Sequence, residues 1–105
     1  GDVRSTHNYF FRLGVKTEKE RASILSEFGG FSMREKGHSA CPAIYGYRIF
    51  PGKKSLHHAY EKIWEEVRKL ERKGLCAAVY TQLSDIEEEV NGLWAYDREV
   101  LKIKD

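Results

Sequence analysis

The stretch from Ser55 to Thr81 constrains the fold of this chain more than any other. Apolar residues at Leu56, Tyr60, Ile63, Val67 and Leu70 recur at spacings of four, three, four and three, which makes one stripe along a helix. Ser55 stands where a cap belongs. Arg68, Lys69, Arg72 and Lys73 crowd the last turns, where cations suit the helix dipole, and Gly74 fits the stop. A helix is therefore predicted over Ser55–Lys73, with its stripe against a sheet. Directly after Gly74, LCAAVYT (Leu75 to Thr81) is apolar without alternation, the pattern of a strand covered on both faces in a parallel sheet. A helix joined to such a strand by a single glycine predicts an α/β fold with parallel strands.

Weaker signals flank this unit. Val3 to Phe11 (VRSTHNYFF) reads as a short strand running into a loop. Thr17, with Glu20 three residues later, fits the capping box of a brief helical turn. Ala22 to Leu25 reads as a buried strand that ends at Glu27. From Phe28 to Gly52 the pattern is irregular, with glycines at 29, 30, 37, 46 and 52, prolines at 42 and 51, and aromatics Tyr45, Tyr47 and Phe50. Its aromatic content marks an ordered functional loop rather than a disordered one. After Thr81, QLSDIEEEVNGLW is acidic and polar, with Asn91-Gly92 as a turn. Tyr96 to Ile103 fits either a short strand or the start of a helix.

Composition narrows the function classes. A chain of 105 residues supports one small domain with a modest core. At 41% hydrophobic and 32% charged it is ordinary globular material rather than a disordered segment. A net charge of +2, without a concentrated basic patch, argues against a nucleic-acid partner. No apolar run approaches the ~20 residues of a membrane span, so no membrane partner is expected. The opening GDVRSTHNYF has no apolar signal-peptide core and no initial Met, and reads as a cut end or a tag remnant. Cys41 and Cys76 are far apart and neither belongs to a CxxC pair. His57 and His58 point ~100° apart on a helix, and His7 and His38 stand separately, so no metal and no cofactor are expected. Cys76 is expected to be a small buried hydrophobe. Trp64, in helical spacing with Tyr60 and Arg68, is expected to pack.

Three apolar runs end in polar residues: His7, Asn8 and Tyr9; Ser26 and Glu27; Thr81, Gln82 and Asp85. In parallel α/β folds ligands gather at the carboxyl ends of strands, where the loops converge. The segment ILSEFGGFS poses the question most directly. Glu27 is costly if buried without a partner, and natural if the strand end opens into a site. One reading is a free-standing small α/β binding or interaction module with a ligand pocket at its strand ends.

SEFGG, then YGYR, a long helix, and AAVYTQLSDIEEEVNGLWAYDREV give a second reading. In this order and spacing they resemble the last part of the catalytic (β/α)₈ barrel of family 2 glycoside hydrolases, the β-galactosidase, β-glucuronidase and β-mannosidase group. The resemblance runs from THNY to YDREV and matches barrel strands six, seven and eight. It implies a partial barrel of about three parallel strands with one long helix. It also implies retaining chemistry on a terminal β-linked sugar, with no cofactor. Glu27 matches the family nucleophile, and Tyr9 resembles the tyrosine that hydrogen-bonds it. Asn8, Gln82 and Asp85 are the implied substrate contacts. Where many members carry a tryptophan at the end of the eighth strand, this chain has Tyr80, which leaves the stacking aromatic open.

The family acid/base follows an asparagine in an Asn-Glu pair, and this chain has none. Glu87, Glu88 and Glu89 read as a solvated face instead. A whole barrel needs ~250 residues. The resemblance therefore implies a fragment that carries the nucleophile, has no turnover by itself, and self-associates through the strand edges it leaves bare.

Overall fold

The structure, a computed structural model, describes residues 1–9, 13–41, 46 and 48–103. The stripe folds as its spacing requires. Helix α1 runs Lys53–Arg72, with Leu56, Ile63, Val67 and Leu70 buried and Tyr60 half-buried. Its start lies earlier than predicted. The first intrahelical bond runs from the Leu56 N–H to the Gly52 carbonyl at 3.1 Å, so Gly52 occupies the capping position. Ser55 sits inside the first turn, and its hydroxyl donates back to the same carbonyl at 2.9 Å. At the other end Gly74 takes φ +110°, a conformation that favours glycine. No membrane-crossing helix occurs among the described residues.

The fold is α/β: strands β1 (Val3–Asn8), β2 (Ala22–Gly29) and β5 (Leu75–Thr81) form one parallel sheet in the order β1-β2-β5. Strands β3 (Phe31–Ser32) and β4 (Arg48–Ile49) form a short parallel pair within the region read as loop. The chain divides into two compact units, Gly1–Gly29 with Glu61–Tyr80, and Gly30–Tyr60 with Thr81–Asp105.

In the first unit, Leu25, Phe28, Ile63, Val67, Leu70 and Leu75 are buried. Trp64 packs edge-on against Phe28 at 5.1 Å between centroids, and Tyr80 does the same at 5.4 Å. Strand β1 ends at Asn8; of the VRSTHNYFF reading, Phe10 and Phe11 lie outside the described residues. The capping box at Thr17 is not formed. Residues 13–18 form no regular element and 19–21 bend, with Glu18 engaged by Arg21 at 2.6 Å and by Arg4 of β1. Both guanidinium groups hold the Glu18 carboxyl below its ordinary range, the Arg21 bond first.

Strand β5 departs from expectation. It was predicted to be covered on both faces, yet only Leu75 is buried, and Cys76, Ala77 and Val79 are exposed. The reason is the layer count. Tyr80 meets Phe28, so Ala78 and Tyr80 share the covered side, and alternation turns Ala77 and Val79 to the other; Leu75 and Cys76, at the start of the strand, do not follow this division. That other side carries no second layer among the described residues. Strand β5 is also an edge of the sheet.

In the second unit, Phe31, Met33, Leu56, Val90 and Ala95 are buried. Tyr96 to Ile103 forms neither a helix nor a strand. Instead Trp94 bridges to Leu101, and the Lys102 N–H donates to the Leu93 carbonyl at 2.8 Å. Asn91-Gly92 lies against Gln82–Asp85, and a Cβ on Gly92 would stand 2.6 Å from the Ser84 Cα. Only glycine allows that approach. Of the aromatic loop, residues 42–45 and Tyr47 lie outside the described residues.

Candidate active site

Glu27 owes its position to a break in strand alternation. From Ala22, the pairing of β1 with β2 advances one residue at a time as far as Thr6↔Leu25, then jumps to His7↔Glu27 and Asn8↔Phe28. Ser26 is skipped. Burial follows the same break: Ser23, Leu25 and Phe28 are buried, whereas Ile24, Ser26 and Glu27 are partly open. Uninterrupted alternation would have placed Glu27 beside Leu25 on the covered side, where a carboxylate without a partner is costly. The irregularity returns it to the open side, as β-bulges commonly re-aim a side chain. Ser26 pins the break. Its hydroxyl shares a hydrogen bond with that of Ser5 and donates to the Thr6 carbonyl at 3.3 Å.

Two side chains converge on Glu27. The Tyr9 hydroxyl donates to Oε2. His7 Nδ1 lies 3.5 Å from the same oxygen. The strand then passes into Gly29 and Gly30, at φ +90° and +64°. A Cβ on Gly29 would overlap the Tyr80 ring, lying 2.8 Å from Cδ2 and closer still to Cε2, so that position needs glycine for space as well as for conformation.

The expected substrate contacts divide differently. Asn8, opposite Phe28, is on the face away from the Glu27 carboxylate. Gln82, in the second unit, is half-buried and donates through Nε2 to Asn91 Oδ1 at 2.6 Å. Asp85 corrects its expected role. It is buried, and Lys102 Nζ reaches its two oxygens at 2.6 and 2.8 Å. Its Oδ1 also accepts the Gly92 N–H at 2.9 Å. Lys102, itself buried, donates further to the Met33 and Val90 carbonyls at 2.7 and 3.0 Å. Burial pushes the Asp85 carboxyl up and the Lys102 ammonium down, and the bond between them opposes both shifts. Asp85 is thus a structural tie in this chain rather than an open ligand contact.

Glu87, Glu88 and Glu89 are exposed, as read, around a two-residue turn in which Ile86 and Glu89 exchange backbone bonds of 3.0 and 2.8 Å. The sequence reading named His7 only as one of three polar residues at a strand end, and it missed Lys102. Period-two spacing from Tyr9 could have found the first. Nothing local marks the second, which reads as one more charge near a lysine-rich end.

The described residues contain one group with metal-ligand chemistry, His38, Asp97 and Glu99, whose ligand atoms all lie within 4.8 Å of one another. Its internal geometry is that of an ion pair, with His38 Nδ1 2.6 Å from Asp97 Oδ2. The Asp97 bond raises the His38 pKa. The Glu99 N–H, and then His38, hold Asp97 low. A raised histidine contributes stability below its ordinary 6.5 and loses it as pH climbs through the folded value. A lowered aspartate contributes above its ordinary 3.8 and loses it as pH falls. His38→Gln should therefore lower the thermal midpoint most between pH 3.8 and 6.5 and converge on wild type in alkaline buffer. Midpoints measured across pH check this, and a uniform offset would refute it.

Compared with known proteins, the chain matches no family model and no curated sequence.

Proposed function

We propose that this chain is the nucleophile-bearing part of a retaining glycoside hydrolase acting on terminal β-linked sugars, of the β-galactoside or β-glucuronide class. The observation that supports this reading is the Glu27–Tyr9 pair. A carboxylate is delivered by a strand irregularity to the open face at the carboxyl end of parallel strands, and a tyrosine hydroxyl donates to one of its oxygens. A nucleophile needs a rigid strand-end seat. It must also stay ionised, which hydrogen-bond donation favours.

In the proposed reaction a Glu27 oxygen attacks the anomeric carbon as the glycosidic oxygen leaves with a proton from an acid/base group. Water then displaces Glu27 and restores its carboxylate. The acid/base stands ~5–5.5 Å from the nucleophile in such enzymes, and it is supplied by barrel strands other than those described.

A panel of aryl β-glycosides against the full-length protein tests the proposal. Turnover of at least one substrate with net retention, followed by NMR of the first-formed sugar, is expected. Inversion, or no turnover across the panel, would refute it.

The same reading covers the bare face of the sheet. Val3 and Val79 are 47% and 57% exposed, and β1 and β5 are sheet edges. Apolar surface left in water costs roughly 25 cal/mol per Å², so several hundred Å² costs on the order of 10 kcal/mol. The remaining barrel strands would cover it in the whole enzyme. The 105-residue chain alone should therefore self-associate at micromolar concentration and show no glycosidase turnover. Light scattering of a stable monomer would count against the first expectation, and release of a chromophore against the second.

A further inference from the structure

We propose that His7 is a positioning residue for Glu27, which fixes Oε2 so that Oε1 is the attacking oxygen; this rests on Glu27 being the nucleophile. The strand register carries the argument. Had the pairing continued without its jump, His7 would face Ser26 and Asn8 would face Glu27. The jump selects His7 instead. It puts the imidazole and, two residues on, the Tyr9 phenol beside the carboxylate, and both meet the same atom, Oε2.

Among the described residues Oε1 accepts no hydrogen bond, whereas Oε2 takes both contacts, and the Glu27 side chain as a whole is 42% exposed. Two contacts on one oxygen hold the plane of the carboxylate, whereas one contact leaves it free to swing about that bond. Arg4, the other basic residue of β1, lies opposite Ser23 on the covered side and is taken by Glu18. The histidine is therefore the basic group of β1 that meets the carboxylate. Misplacing a reacting group by about 1 Å costs ~10²-fold in rate, which sets the scale of the effect.

The test uses the full-length protein, an aryl β-glycoside that the wild type cleaves, and its 2-deoxy-2-fluoro counterpart, which stalls as the glycosyl-enzyme. Wild type should label at Glu27, seen as a peptide mass shift. Labelling elsewhere, or no turnover, would overturn the nucleophile reading and this inference with it, before any His7 variant is made. Given wild-type labelling at Glu27, His7→Ala should lower kcat and the labelling rate by ~10–100-fold with KM little changed. His7→Asn, whose amide nitrogen reaches the place of Nδ1, should recover more of the rate than His7→Gln, whose nitrogen reaches the place of Nε2. The Asn and Gln variants keep a polar side chain at a half-exposed strand position, so their comparison stands even if the alanine variant folds poorly. Wild-type kcat in His7→Ala, or equal rates in the Asn and Gln variants, would overturn the proposal while leaving Glu27 as the nucleophile.

Discussion

Glu27→Gln in the full-length protein should lower turnover of a cleaved aryl β-glycoside by about three orders of magnitude or more, ~4 kcal/mol of barrier. The amide keeps the size of the side chain and can still accept the Tyr9 hydroxyl, so the site should hold its shape. It cannot form the glycosyl ester, because a neutral amide oxygen is a poor nucleophile and the covalent route closes. Stability should change little, since Glu27 is partly open to solvent and makes no buried ion pair. Steady-state kinetics beside a denaturation curve separate the two effects. A variant that keeps more than about a tenth of wild-type turnover, ~1.4 kcal/mol of barrier, would remove Glu27 from the role.

Lys102→Met should be the most damaging single change to the fold. Removing one member of a buried ion pair typically costs ~3–5 kcal/mol, because the other charge is left in a dry site. Here the loss is wider, since the Met33 and Val90 carbonyls lose a donor at the same time. Among the described residues, Asp85 would keep only the Gly92 N–H. Adding Asp85→Asn removes the orphaned charge while an amide oxygen still accepts from Gly92. The double variant should therefore be more stable than Lys102→Met alone, with a coupling above ~1 kcal/mol. Urea unfolding of the four proteins in the cycle measures this. A loss under ~1 kcal/mol for Lys102→Met would show that the pair is not the tie described.

The sequence reading and the structure agree where the cause is local. The stripe on α1 and the stop at Gly74 were legible because helical periodicity and a glycine turn are properties of neighbouring residues. Glu27 was legible as a misfit, a carboxylate at the end of an apolar strand. Of its companions, Tyr9 was named through the family resemblance, whereas His7 was legible only as one of the polar residues at a strand end.

What the tertiary structure decided is face and depth. Alternation in β2 predicts Glu27 on the covered side with Leu25, and the skip at Ser26 reverses that. A skip is set by the pairing of two strands far apart in sequence, so neither strand records it alone. The same holds for Lys102, whose burial depends on Met33 and on the stretch from Asp85 to Val90 closing around it. It holds again for β5, an apolar run whose Val79 lies exposed because the layer that would cover it is not among its own neighbours. Local sequence determined the long helix and the three strands of the main sheet. The meeting of distant segments decided which side chains face the open side of the sheet and which charges lie buried, because pairing register and layer count are properties of several segments at once.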